Sequence, residues 1–258
     1  YSFWAFVITL ANMLRGRIDV FIIGSVLSAT AVTHYYIADR LVEYVRQFLY
    51  QATNIFMPVF TKYLARGNEA EARDKMLLLT KLNAVIGGYA IGVLIIVSGS
   101  FIDVWMGEEY SSAYPVLIAL IIGKYFEFVG NPGCTVLYAS ENHNILAKCD
   151  VWEGAANLVL SFILIYPYGL TGVAIATMVP LIFFRLLVVP PFVCRVLGVN
   201  LVRYYMTLLT PLLFTLAYMA LAAWFFDQYV AENSGYATIF LYSILTLPVY
   251  AILSIFVF

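Results

Sequence analysis

Long apolar runs without alternation constrain this chain more than any other feature. The stretch AVIGGYAIGVLIIVSGSFI, residues 84–102, carries no charge and no period of two. A bilayer core about 30 Å thick takes roughly 20 residues of helix. Segments of that length lie at 3–28, 33–58, 78–101, 113–139, 145–166, 170–192, 204–226 and 236–258. A membrane barrel would instead show segments of about 10 residues alternating in polarity. The expected fold is therefore all-α, a polytopic membrane helix bundle of eight transmembrane helices. Composition agrees: 63% of the 258 residues are hydrophobic and 11% charged, where a soluble domain has about 25% charged.

Basic residues orient the spans. The link 59–77 carries Lys62, Arg66, Arg73 and Lys75, and the link 193–203 carries Arg195 and Arg203. The intervening links SATA, IDVWMGEEYSSAY, PYG and DQYVAENSG contain neither Lys nor Arg. By the positive-inside rule, the links 59–77, 140–144 and 193–203 are expected in the cytoplasm, with both ends of the chain, in a plasma (inner) membrane. The chain opens on Tyr1 in mid-pattern, which reads as the later part of a longer protein.

Several chemistries find no support. CxxC, HExxH, GxSxG and P-loop motifs are missing, so no catalytic residue, metal or cofactor is expected and nothing points to nucleic acid. His34 and His143 read as structural polar residues at span ends. Cys134, Cys149 and Cys194 read as packing residues within or beside spans.

The charged residues inside the spans are the informative ones. A charge at the centre of a membrane helix costs about 2.5–3.5 kcal/mol on insertion scales and is tolerated where it faces protein or a wet cavity. Residues at i, i+3 or i+4, and i+7 share a helical face, and four spans carry a polar stripe spaced that way. The first has Asn12, Arg15 and Asp19; the second Asp39, Glu43 and Arg46, with Asn54 beyond; the fourth Lys124, Glu127 and Asn131; the fifth Asp150, Glu153 and Asn157. The third holds Lys81 and the sixth Arg185, while the last two are uncharged between Tyr204 and Phe226 and between Tyr236 and Phe258. Spans one, two, four and five are thus expected to line a common polar cavity. A short link near residue 30 would set Arg15 level with Arg46 and Asp19 level with Val42. Arg15 lies about 18 Å from Phe3 along a helix, near the midplane.

Mutual neutralisation, Arg15 with Asp19 or Lys124 with Glu127, is the simplest structural account. Buried ion pairs add little net stability, however, and so many together favour a hydrated functional cavity. Arginine matches phosphate oxygens bidentately and stays charged. The expected anion contacts are Arg15, Arg17, Arg46 and Lys124; Arg17 is turned off the stripe of its own helix. Asp19, Asp39, Glu43, Glu127, Asp150, Glu153 and Asn157 are expected to line the cavity or take up a coupling ion. Gly130, Pro132 and Gly133 offer a hinge in the fourth span. Gly88 with Gly92, and Gly172 with Ala176, suit close helix packing.

Two stretches resemble a known group. RGRIDVFIIGSVLSATAVTHYYIADRLVEYVRQFLYQATNIFMPVF contains a charged helix ending D-x-x-x-I-G that leads into Y-x-I-A and closes near a proline. YASENHNILAKCDVWEGAANLVLSFILIYPYGLTGVAIATMVP contains Asn-Leu, a Tyr-Gly-Leu turn and Gly-Val-Ala-Ile-Ala-Thr. Both resemble the second lobe of polysaccharide (O-antigen type) flippases of the multidrug/oligosaccharidyl-lipid/polysaccharide exporter superfamily. The resemblance implies a protein of about 14 helices: two six-helix lobes and two extra helices. This chain would supply helices 7 to 14, residues 1–192 forming the second lobe and 193–258 the two additional helices. It implies alternating-access transport of a lipid-linked oligosaccharide, a polyprenyl pyrophosphate, with membrane lipids and the missing N-terminal lobe as partners. Multidrug exporters of the same superfamily are the nearest alternative, but they end after 12 helices. A membrane-embedded glycosyltransferase or O-antigen ligase is a second; it needs a larger external loop than this chain has. A purely structural membrane subunit is a third.

Overall fold

A computed structural model of the chain describes residues 18–53, 57–140, 142–230 and 235–255. Asn12, Arg15, Arg17 and Asn54 lie outside the described residues. Within them regular structure is helical throughout. Helix α1 occupies 18–26, followed by α2 (Ala29–Thr53), α3 (Met57–Ala65), α4 (Glu69–Trp105), α5 (Ala113–Ala139), α6 (His143–Phe183), α7 (Val189–Leu197), α8 (Leu201–Tyr229) and α9 (Tyr236–Ser254). A 3-10 turn, Glu108–Tyr110, precedes α5, and a π-helical segment, Phe184–Val188, joins α6 to α7.

Among the described residues, five helical stretches are long and apolar enough to cross a bilayer: Glu69–Trp105, Ala113–Ala139, His143–Leu197, Leu201–Tyr229 and Tyr236–Ser254. The 55-residue stretch His143–Leu197 doubles back, because Gly169 adopts φ 55°, ψ −132°, a left-handed conformation that glycine reaches without a Cβ penalty. Its two halves then run side by side: a Cβ on Gly172 would stand 2.1 Å from the carbonyl oxygen of Leu164, and further along Asn157 bonds Thr177 and Asp150 bonds Arg185. The hairpin supplies two passes where one continuous helix is traced. The chain is an integral, multi-pass membrane protein.

Two expected links are themselves helical. The first hairpin turns at Leu27–Ser28, where the Ser28 hydroxyl accepts from the Ala31 N–H at 3.1 Å and restarts the helix at Ala29. SATA is thus largely the first turn of α2. The tighter turn sets Asp19 beside Tyr35, to which it is bonded, and not level with Val42. Similarly, α4 begins at Glu69 rather than near residue 78. Asn68 caps it by accepting from the Glu71 N–H at 3.3 Å and donating to the Glu71 carboxylate at 2.8 Å.

Helix α5 is central, with α2, α4 and α6 packed on it. Val116, Leu117, Phe128 and Val129 are buried there. The glycine face of α4 receives α8, since a Cβ on Gly88 would come within 2.8 Å of Thr215 and one on Gly92 within 2.6 Å of Met219. Tyrosines fasten the last two helices. Tyr250 donates to the Val85 carbonyl at 2.9 Å, Tyr242 to that of Ala222 at 2.8 Å and Tyr218 to that of Thr246 at 2.7 Å; Tyr89 donates to that of Ser243. Helices whose spanning parts are uncharged need such bonds or close packing, because lipid tails are as apolar as their side chains.

Helix α5 continues unbroken through Pro132, and no break occurs at the expected hinge. Proline brings no N–H to the carbonyl one turn back, which belongs to Phe128. Asn83 of α4 supplies the missing donor at 3.0 Å. The same repair recurs at Pro190 and Pro191, where Tyr205 donates to the Leu186 carbonyl at 2.7 Å.

Candidate functional site: a charged cavity between α1, α2, α5 and α6

A cavity of about 550 Å³ opens between these helices, lined by Asp19 of α1, by Tyr35, Asp39, Arg40, Val42, Glu43, Arg46 and Gln47 of α2, by Leu120, Lys124 and Glu127 of α5, and by Thr177 of α6. Helical spacing explains the convergence. Asp39, Glu43, Arg46 and Gln47 lie on one side of α2, and Lys124 and Glu127 are one turn apart on α5. Among the expected cavity residues, Asp19, Asp39, Glu43, Arg46, Lys124 and Glu127 come together here. Asn157 stands just behind, bonded to Thr177.

The cations are not equivalent. Arg46 grips the Glu43 carboxylate with two bonds of 2.6 Å each, Nε to Oε2 and Nη2 to Oε1. Gln47 adds a third donor to Glu43 at 2.9 Å. Lys124 bonds Glu127 at 2.7 Å. Arg40 has no ion-pair partner among the described residues. Its guanidinium lies 4.3 Å from the ring centroid of Tyr36 and donates to that ring's hydroxyl, and its Nε is buried without a hydrogen-bond partner. An arginine held by cation–π contact, with donors unspent, can receive an anion without first releasing a carboxylate. The spacing of the polar stripes did not single out Arg40, which falls off the 39/43/46 stripe. Only the breadth of the cavity brings it in.

At the other end of the cavity Asp19 is 5% exposed. Its Oδ2 accepts from the Tyr35 hydroxyl at 2.8 Å and from the Thr177 hydroxyl at 2.8 Å, and Thr177 accepts from Asn157 Nδ2 at 2.7 Å. Asp19 Oδ1, Asn157 Oδ1 and Ser161 Oγ are buried with no hydrogen-bond partner among the described residues. Buried oxygen atoms without donors are costly, and hard cations are bound by such oxygens. Tyr35 and Thr177 were not anticipated, because an uncharged hydroxyl in an apolar span gives no signal until its partner is known.

Asp150 and Glu153 sit elsewhere. They lie in a second, buried cluster around Arg185, at 2.7 Å and 3.6 Å from its Nη2, and Arg185 Nη1 also donates to Cys134 Sγ at 3.5 Å. The sixth span is therefore not dry: it supplies Thr177 to the cavity and Arg185 to these acids. Arg185 falls in the π-helical segment, a local widening frequent at functional sites. Gly130 and Gly133 flank Pro132 in a buried part of α5, and a Cβ on Gly133 would come within 3.1 Å of Val193.

Known proteins share features with this chain. A family described as "Polysaccharide biosynthesis protein" matches residues 1–115. The chain is 27% identical over 228 residues to the teichuronic acid biosynthesis protein TuaB of Bacillus subtilis, covering 84% of this chain and 45% of that protein. It is 26% identical over 180 residues to the probable low-salt glycan biosynthesis flippase Agl15 of Haloferax volcanii, covering 69% and 38%. Among solved structures, lipid II flippase MurJ in an inward closed conformation matches with a TM-score of 0.74 and 15% identity, over 97% of this chain and 52% of that one. The chain thus spans less than half the length of these two sequence relatives, and the likeness to MurJ is one of fold.

Proposed function

Because the sequence likeness and the fold both agree with the resemblance to polysaccharide flippases of the exporter superfamily, we propose that this chain is the C-terminal half of a transporter. That transporter moves polyprenyl-pyrophosphate-linked oligosaccharide across the membrane by alternating access, for surface polysaccharide biosynthesis. Residues 1–192 form its second lobe and 193–258 two additional helices. The missing N-terminal lobe provides the facing wall of the cavity, a reading supported by the 52% coverage of the MurJ chain. The membrane is the plasma (inner) membrane, with the links bearing Lys62, Arg66, Arg195 and Arg203 and both chain ends in the cytoplasm.

The observation that carries this proposal is the pairing pattern in the cavity. Arg40 is the cation ready for the pyrophosphate, joined by Arg15 and Arg17 from outside the described residues. Arg46 and Lys124 contribute once Glu43 and Glu127 release them. Asp19, with Asn157, Ser161 and Thr177, takes up the coupling cation, and Asp39 lies between the two regions. Flexing of α5 falls at Gly130, Pro132 and Gly133, where one backbone hydrogen bond has already been given up.

Flipping of a fluorescent polyprenyl-pyrophosphate oligosaccharide by the full-length protein in proteoliposomes tests the proposal. Arg40→Ala is expected to abolish flipping while leaving membrane insertion intact, and Arg40→Lys to retain part of it. Wild-type-like flipping by Arg40→Ala would remove Arg40 from the mechanism. Absence of flipping by the wild-type protein would remove the transporter reading itself.

A further inference from the structure

Beside the residues that line the cavity, α2 carries exposed tyrosines. Tyr44 is 61% exposed, and its hydroxyl has no hydrogen-bond partner among the described residues. It lies about 22 Å along a helix about 37 Å long, so its depth is that of the hydrocarbon core. A phenol hydroxyl left unpaired in lipid is unfavourable. Moreover, α2 carries Asp39, Arg40, Glu43, Arg46 and Gln47 within one or two turns of Tyr44. The face carrying Tyr44 therefore looks onto water or a polar partner.

Its neighbours indicate which. Tyr44 follows Arg40 by one turn and precedes Gln47 by one turn, and both of these line the cavity. Tyr36, also exposed, lies one turn before Arg40, which covers its ring and bonds its hydroxyl. The same face thus carries two tyrosine rings about 12 Å apart, a guanidinium between them and an amide beside them. Flat rings pack against the C–H faces of pyranoses, whose hydrogens carry partial positive charge toward the π face. The Gln47 amide can satisfy sugar hydroxyls around the ring. A purely apolar lipid tail uses none of these polar groups.

We propose that Tyr44, beside Gln47, is a saccharide-contacting platform on α2, one turn from Arg40, which is assigned to the pyrophosphate. This rests on the flippase reading and names the residues that face the glycan. The platform makes Tyr44 a specificity-determining residue: it acts on the sugar and is indifferent to the carrier.

The test uses the full-length protein in nanodiscs with Tyr44→Cys, a hydrophilic methanethiosulfonate reagent, and two probes: polyprenyl pyrophosphate carrying a disaccharide, and the sugar-free polyprenyl pyrophosphate. Cys134, Cys149 and Cys194 are buried, and the unsubstituted protein gives their background. The expected result is rapid labelling at position 44, slowed by the disaccharide probe and not by the sugar-free one. In parallel, Tyr44→Ala raises KM for the disaccharide probe about three- to tenfold, the scale of one aromatic contact, with kcat unchanged. Equal protection by both probes would make Tyr44 a headgroup contact and overturn the proposal. Absence of labelling would mean that the first lobe covers this face, and would overturn it as well. Binding of neither probe to the unsubstituted protein would instead remove the flippase reading, and the platform with it.

Discussion

Asn83 Nδ2 donates at 3.0 Å to the carbonyl oxygen of Phe128, the one that Pro132 leaves without its helical donor. A side chain of α4 thereby completes a hydrogen bond that α5 cannot make for itself. In a bilayer this matters more than in water, because no solvent reaches the orphaned group.

The relationship predicts a rescue. Asn83→Leu is expected to lower the melting temperature of the detergent-purified protein, by a loss on the order of 1–2 kcal/mol. Pro132→Ala added to it should recover most of that loss, since the substituted residue brings its own N–H to the Phe128 carbonyl. A double-mutant cycle reads the coupling; strictly additive effects would show that the two residues act independently.

The glycine face of α4 predicts an order of severity. A Cβ at Gly88 meets the branched side chain of Thr215 at 2.8 Å, whereas one at Gly92 meets the flexible Met219. Thr215 cannot yield without disturbing its 2.7 Å bond to Tyr250, but Met219 can rotate away. Gly88→Ala should cost about 1–3 kcal/mol as overpacking and Gly92→Ala less, with Thr215→Ala relieving the first. Thermal denaturation of the three variants decides it, and the reverse order would count against this packing.

Arg185 predicts a charge-compensation effect. Arg185→Gln leaves Asp150 and Glu153 without their shared cation in a buried cluster, a loss of about 3–5 kcal/mol. Folded yield should fall sharply and recover when Asp150→Asn is added. A yield unchanged by Arg185→Gln alone would mean that the cluster holds its acids by other means.

In the cavity, Arg46 and Glu43 predict that removing both charges together does not restore transport. Arg46→Gln is expected to reduce glycan transport at least tenfold, through an uncompensated carboxylate as well as a lost cation. If Arg46 serves mainly to hold Glu43, the variant Arg46→Gln/Glu43→Gln restores transport to near wild type. If Arg46 joins the pyrophosphate during the cycle, as proposed above, the double variant stays impaired. Initial flipping rates separate the two.

Much of the local structure was legible in the residues. Non-alternating apolar runs specify helices in a bilayer, and three-to-four-residue spacing of Asp39, Glu43 and Arg46, or of Lys124 and Glu127, specifies a shared face. The pairs Arg46–Glu43 and Lys124–Glu127 are a single turn apart on one helix, so their geometry follows from helical repeat alone. The expected end of SATA and start of the third span misplaced the turns because Ser28 and Asn68 cap helices at once, and capping depends on one or two side-chain bonds rather than on hydropathy.

What the sequence by itself determined is therefore whatever depends on periodicity and composition: an all-α membrane bundle, the polar stripes and the uncharged stretches 204–226 and 236–258. Tertiary structure alone decided which stripes meet. Gly169 folds α6 back on itself, and only that reversal carries Thr177 to Asp19 and Arg185 to Asp150. It likewise decided which cation stays unpaired, since Arg40 and Arg46 are both arginines of one helix. The physical reason is range: periodicity is set by neighbours within one turn, whereas pairing across helices depends on where distant segments come to pack.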